Sequence, residues 1–213
     1  MDARAWDERY AAADLLWSAG PNQFVEAELA DLRPGRAVDL AAGEGRNAIW
    51  LAERGWEVTA VDFSLVGLDK GRQALARHPN GRDLHVDWVH ADVLDYDAGP
   101  VGFDLALVAY LQLVPEERRE ATRRAFGLLV PGGTLLVVGH DSTNFTEGTG
   151  GPTDQAVLFT AEEVLGDLDG ERFEVVRAER VSRQVPTAPD DALHRAEPAR
   201  TAYDALVRLV RAH

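Results

Sequence analysis

Asp39, Gly43, Gly45 and Asp62 are spaced as the parts of a nucleoside-binding site within 37–64, AVDLAAGEGRNAIWLAERGWEVTAVDFS. Glycines at a turn let the backbone bend sharply and approach a ligand with no Cβ in the way. A carboxylate about 20 residues further on, at the end of the next strand, is placed for ribose hydroxyls. Gly43-Glu44-Gly45-Arg46-Asn47-Ala48 also satisfies G-x-G-x-x-[GA], a dinucleotide fingerprint. A pyrophosphate on a helix N-terminus would be repelled by nearby negative charge. Here Asp39 shortly precedes the turn and Glu44 lies within it. An acidic turn suits a cationic ligand, such as one carrying an ammonium and a sulfonium.

These residues need strands to carry them and helices to cover the strands. Apolar runs at 36–40 and 56–61 read as strands, and the helical spacing of Ala48, Leu51 and Ala52 places a helix over 47–54, stopped by Gly55. The same alternation continues with a helix at 65–77, strands at 84–90 and 103–109, a helix at 115–129 and a strand at 134–139. A helix at 158–168 carries a capping box, Thr160 with Glu163, and a strand follows at 173–181. The run 103–109 is apolar almost throughout, as in a strand buried on both faces. Such alternation predicts an α/β fold with a mostly parallel sheet covered on both sides. The last segment is ambiguous: Tyr203, Ala205, Val207 and Leu209 alternate with polar Asp204 and Arg208 as in a strand, while Tyr203, Leu206, Val207 and Val210 fit a helix.

Asp39-x-x-x-Gly43-x-Gly45 followed by Asp62 resembles motif I and the ribose-binding acid of class I S-adenosylmethionine-dependent methyltransferases. The longer strings DLAAGEGRN and VDFS are similar to the small tellurite-resistance-like and thiopurine-methyltransferase-like branch, with Ala41-Ala42 in place of the usual Gly-Cys or Gly-Ser. The resemblance spans nearly the whole chain, through Ala91-Asp92-Val93, Phe103-Asp104 and Leu129-Val130-Pro131-Gly132-Gly133. It implies a single Rossmann-like domain over 1–213, with a seven-stranded mostly parallel sheet and an antiparallel C-terminal strand. A helical cap at 1–32 would precede the cofactor-binding core at 33–213. It also implies S-adenosyl-L-methionine held by Asp39, Ala41, Gly43, Gly45, Arg46, Asn47, Asp62, Phe63, Asp92, Val93 and Ala109. Asp104 reads instead as a structural residue at a strand entry.

Acceptor candidates are the residues just after the fourth and fifth strands, because ligands of open α/β sheets bind at the carboxyl ends of strands. These include Tyr110, Gln112 and His140. Neutral His140 could take a proton near pH 7, and Tyr110 could orient the acceptor. A soft acceptor such as a thiolate, selenide or reduced tellurium species would need no base. Trp6, Tyr10, Ala13 and Trp17 fall on one helical face, which either packs on the core or, as the resemblance implies, caps the acceptor site. The glycine-rich loop 141–155 reads equally as a lid or as a disordered segment.

Composition bounds the rest. Lys+Arg 22 against Asp+Glu 36 gives a net charge of −14, which disfavours nucleic acid and anionic membranes as partners. With no cysteine there is no disulfide, thiol nucleophile or thiolate metal site, and the histidines lack metal-ligand spacing, so no metal is expected. No signal peptide or spanning segment is evident, and the expectation is a cytoplasmic monomer or homodimer acting on a small-molecule methyl acceptor through a thiol, chalcogen or other heteroatom. Two alternatives remain from the sequence: an NAD-dependent oxidoreductase or epimerase, and a non-catalytic S-adenosylmethionine binder. The first would want a Tyr-x-x-x-Lys pair, and no tyrosine stands at that spacing from Lys70.

Overall fold

A computed structural model describes residues 3–12, 20–185 and 200–213. Seven strands form one sheet: β1 (Arg36–Leu40), β2 (Glu57–Asp62), β3 (Val86–His90), β4 (Phe103–Ala109), β5 (Leu129–His140), β6 (Phe173–Val185) and β7 (Arg200–Arg211). Their order is β3-β2-β1-β4-β5-β7-β6. β7 runs antiparallel to β5 and β6, and every other pairing is parallel. The helices are α1 (Ala3–Ala11), α2 (Gln23–Leu29), α3 (Arg46–Glu53), α4 (Leu65–Arg77), α5 (Pro115–Gly127), α6 (Asn144–Glu147) and α7 (Ala161–Asp167). The expected α/β fold, with its antiparallel C-terminal strand, is the one observed.

Alternate residues of the central strands point to opposite faces of the sheet, so each strand feeds two cores. Ala106 and Val108 join Val38, Leu40, Phe126, Phe159 and Val164 on one side. Leu105 and Leu107 join Val25, Leu29, Ala37, Trp50 and Trp56 on the other. Burial on both faces explains why β4 reads as one apolar run. At its start the carboxylate of Asp104 accepts a hydrogen bond from the Arg36 N–H at 2.8 Å, the structural role expected of it.

Three elements depart from the sequence reading, each for a packing reason. Pro131-Gly132-Gly133 does not precede β5 but lies inside it: Phe103 pairs with Leu129 and Leu105 with Thr134, so the intervening residues bulge out, with Gly132 at φ 84. α7 begins at Ala161 rather than 158, because Thr160 caps it through the expected box with Glu163. β6 continues to Val185, four residues beyond the apolar pattern, because β7 pairs with it as far as Val185 opposite Arg200.

Side-chain hydrogen bonds link the loop 141–155 to β6 and β7. Asn144 ties it down, accepting from the Tyr203 N–H at 2.8 Å and donating to the Gly150 carbonyl at 2.9 Å. Arg180 of β6 grips it from the edge through Thr143 and Glu147. No helix among the described residues is long and apolar enough to cross a membrane.

α5 and α7 are joined by a buried ion pair in which Arg118 Nε donates to Asp167 Oδ2 at 2.7 Å. Both side chains are under a tenth exposed. Removing one partner strands the other charge away from water. Asp167→Ala is therefore expected to lower the unfolding free energy by about 3 kcal/mol, read as a lower urea midpoint at an unchanged slope.

Candidate active site

The sheet order reverses between β1 and β4, and the crevice of an open α/β sheet lies outside the carboxyl ends of such a strand pair. Both chain exits there are strained. Ala41, just after β1, and Tyr110, just after β4, hold φ of 61° and 59°, where L-residues rarely rest. Ala41 is the position at which the resembling family carries glycine, so the substitution keeps the turn at the expense of backbone strain.

Gly43 and Gly45 hold the left-handed conformations that the turn requires, with φ of 56° and 73°. Protein side chains take the space their missing Cβ atoms leave: a Cβ on Gly43 would meet the Tyr10 hydroxyl, and one on Gly45 the Trp88 ring. Tyr10 is buried. Its helix α1 is anchored beside the turn, where Asp7 accepts from the Ser64 hydroxyl and Lys70 donates to the Tyr10 carbonyl. Trp6 stacks on Tyr10 at 5.5 Å between ring centroids. Ala13 and Trp17, on the same predicted face, lie outside the described residues.

Two carboxylates face one another across this turn. Asp62 Oδ2 accepts from the Gly43 N–H and Oδ1 from the Ser64 N–H, both at 2.8 Å. Burial pushes its pKa up against the pull of those two bonds. Asp39 is 1% exposed, and its Oδ2 has no hydrogen-bond partner. Burial, then repulsion from Asp62, raise its pKa from 3.8 to about 7, while Arg46 and the Ala48 N–H pull the other way. Glu44, read from sequence as part of the cationic-ligand site, is instead 3.5 Å from Lys70 Nζ. That ion pair offsets the turn's own charge and leaves the negative potential to Asp39 and Asp62.

A second polar cluster lies at the ends of β4 and β5. The Tyr110 hydroxyl donates to Asp204 Oδ2 at 2.9 Å and accepts from Asn22 Nδ2 at 3.3 Å. Arg183 Nε donates to the same Oδ2 at 2.8 Å. His140 packs edge-on to Tyr110 with centroids 5.0 Å apart, and its Nδ1 lies 3.3 Å from Asp204 Oδ1. That approach is not aligned as a hydrogen bond, and both atoms are sealed from solvent. Burial and then the Asp204 charge push the Tyr110 phenol well above its ordinary value of 10.

Residues 37–133 match the family described as methyltransferase domain. These residues are a methyltransferase domain of the S-adenosylmethionine-dependent kind. It is 32% identical over 124 residues to the demethylmenaquinone methyltransferase of Clavibacter sepedonicus, covering 58% of this chain and 47% of that protein. It is 31% identical over 134 residues to the tRNA 5-carboxymethoxyuridine methyltransferase of Escherichia coli, covering 60% and 48%. The chain thus spans about half the length of each of these curated relatives. Among solved structures, the N-methyltransferase NodS from Bradyrhizobium japonicum, crystallised with S-adenosyl-L-homocysteine, superposes with a TM-score of 0.71 at 20% identity, covering 99% of this chain and 98% of that one.

Within this methyltransferase domain the expected cofactor residues divide into groups. Asp39, Ala41, Gly43, Gly45, Arg46, Asn47 and Asp62 meet around the turn at the β1 and β2 ends, and Ala109 ends the neighbouring β4. Asn47 is buried and holds the Asn22 N–H through its Oδ1 at 2.9 Å. Phe63 is half-buried, with its carbonyl 3.0 Å from His90 Nε2. Asp92 stands exposed past β3, where its Oδ1 accepts from the Leu94 N–H, and Val93 is in the core. Gln112 is half-buried with its amide nitrogen sealed and unpartnered.

Sequence reasoning assigns Asn22, with Phe24, to the cap over the active site, but misses two residues of the second cluster: Arg183 and Asp204. Asp204 was read on the polar face of β7, yet it is 0% exposed. β7 lies between β5 and β6 and is covered on both faces, so alternation does not give it a wet side. Its neighbours on that face, Ala202 and Leu206, are also fully buried, and an acid between two such residues is the signal that was available. Arg183 lay beyond the expected end of β6.

Because the folded-state pKa of Asp39 is raised, ionising it opposes folding, and stability contributed by its neutral form is lost as pH rises from about 4 to 7. A cationic ligand reverses that preference. Asp39→Asn is expected to raise the melting temperature of the ligand-free protein at pH 8. It should also remove the gain in S-adenosylmethionine affinity that the wild type shows between pH 6 and 8, as read by calorimetry.

Proposed function

We propose that the chain transfers the methyl group of S-adenosylmethionine to a small-molecule acceptor. The observation that carries this reading is the pair of buried carboxylates across the Gly43–Gly45 turn, one of them with an oxygen that no protein group satisfies. A buried carboxylate without a partner is costly, and a ligand ammonium or sulfonium nearby would offset that cost. The tight turn, the helix α3 that leaves it and Asp62 at the end of β2 suit a nucleoside carrying such charges. Arg46 is the cation placed for the ligand's carboxylate, and Asn47, Phe63, Asp92, Val93 and Ala109 complete the cofactor-binding set.

The cofactor supplies an activated methyl group on a good leaving group, so this chain's part is to position the acceptor and exclude water. In this reading α1, with Trp6 and Tyr10, belongs to a helical cap over 1–32 of the one domain; Trp17, assigned to the same cap, lies outside the described residues. Tyr110, Gln112 and His140 face the acceptor. Its phenol already donates to Asp204, so Tyr110 orients rather than removes a proton. A small acceptor is favoured by the net charge of −14, which would repel nucleic acid. An NAD site is disfavoured because Asp39 would face a pyrophosphate.

Calorimetry should find S-adenosylmethionine bound and NAD not bound. Asp62→Ala is expected to weaken binding about tenfold or more, or ~1.4 kcal/mol, and Gly43→Val to abolish it. Cofactor-dependent S-adenosylhomocysteine release with one of a panel of phenols, amines, thiols and selenite would establish turnover. Failure of the wild type to bind S-adenosylmethionine would sink the reading.

A further inference from the structure

We infer that Asp204 is a positioning residue that holds His140 as a general base, and that the acceptor is a molecule whose attacking oxygen or nitrogen arrives protonated, such as a phenol or an amine. This rests on the methyltransferase reading above and deepens it.

The geometry fixes the roles of the groups. Asp204 Oδ2 already receives Tyr110 and Arg183, so Oδ1 is the oxygen left for His140. An ionised carboxylate only accepts hydrogen bonds. His140 Nδ1 and Asp204 Oδ1 lie 3.3 Å apart, off the line of a hydrogen bond and sealed from water, where two facing lone pairs would repel, so the favoured state places the ring proton on Nδ1. Nε2, which has no protein partner among the described residues, then keeps the lone pair that a base requires. Arg183 pairs with the charge of Asp204. The loop glycine Gly151 packs against the Nδ1 side of the ring, where even a Cβ would crowd it at 3.0 Å. The other ionisable groups nearby are engaged elsewhere: Asp141 accepts from the Thr143 N–H and hydroxyl, and Tyr110 serves as a donor.

The acceptor class follows from the reaction balance. In the proposed step the proton on the acceptor's oxygen or nitrogen passes to His140 Nε2, and the acceptor's oxygen or nitrogen bonds the methyl carbon. The carbon–sulfur bond breaks with its electron pair left on sulfur, and His140 then releases the proton to solvent. A thiolate or selenide brings no proton to remove. For such an acceptor, a buried cluster of acid, guanidinium, phenol and imidazole would carry its desolvation cost without a chemical role.

The test reads the histidine itself as well as turnover. On the full chain labelled with ¹⁵N-histidine, two-bond ¹H–¹⁵N spectra near pH 7.5 are expected to show neutral His140 with its proton on Nδ1, the signal being assigned by its loss in His140→Gln. Asp204→Asn should move the proton toward Nε2, and Asp204→Glu should restore it. A wild-type ring protonated on Nε2 overturns the inference, and this readout needs no variant of Asp204 to fold. In parallel, S-adenosylhomocysteine release is followed with catechol, benzylamine, 2-mercaptoethanol and selenide from pH 5.5 to 8.5. Turnover of catechol or benzylamine that rises with pH, and a kcat about 100-fold lower in Asp204→Asn at unchanged S-adenosylmethionine affinity, is the expected result. Turnover confined to the thiol or selenide and indifferent to Asp204→Asn overturns it. If no probe reacts, the tautomer alone decides. Loss of S-adenosylmethionine binding in the wild type would instead count against the methyltransferase reading, whatever the state of His140.

Discussion

Asp39 sits at the end of β1, inside the reversal of strand order, with one carboxylate oxygen sealed from water and unpaired. A charge in that position opposes folding, and a second carboxylate, Asp62, raises the opposition further. The surrounding structure accommodates both acids without neutralising Asp39 fully. Asp62 is held by two backbone N–H groups, Glu44 is matched by Lys70, and Arg46 supplies partial compensation. The turn, the positive φ of Ala41 and the docking of Tyr10 over Gly43 all follow from keeping these two acids at a chain reversal.

A second constraint comes from the insertion of β7. Running antiparallel between β5 and β6, it brings its first residues to the same edge as the last residues of its neighbours. Asp204 therefore falls opposite His140, and Arg183 reaches it from the end of β6. Tyr110 arrives at this edge from β4 in a strained conformation. Three residues, from the end of β4 and from β5 and β6, thus gather on one buried carboxylate of β7, which fixes the phenol, the imidazole and the guanidinium relative to each other.

Asn22 couples the two regions. Its side chain caps α2, its backbone N–H is held by Asn47 of α3, and its amide reaches the Tyr110 hydroxyl. A single residue thereby ties the helix that leaves the glycine turn to the residue at the end of β4. On the far side, α1 is fixed through Asp7 and Tyr10 to the start of α4 and to the turn. The two polar regions are linked through Asn22.

The sequence by itself determined whatever local chemistry enforces. Alternating apolar periods specified the strands and helices, glycines marked the turn, Thr160 with Glu163 specified a helix start, and the spacing of Asp39, the glycines and Asp62 disclosed a nucleoside site. These signals survive because strand burial, turn geometry and capping act over a few residues. Only the tertiary structure decided the partners of the charged groups. Glu44 is a ligand group by its place in the turn, but Lys70 approaches it from another helix. Asp204 is a surface residue by alternation, yet β7 lies between two strands and has no wet face. Arg183 belongs to a strand solely because β7 extends to pair with it. Burial and charge pairing depend on residues distant along the chain, and no local pattern encodes them.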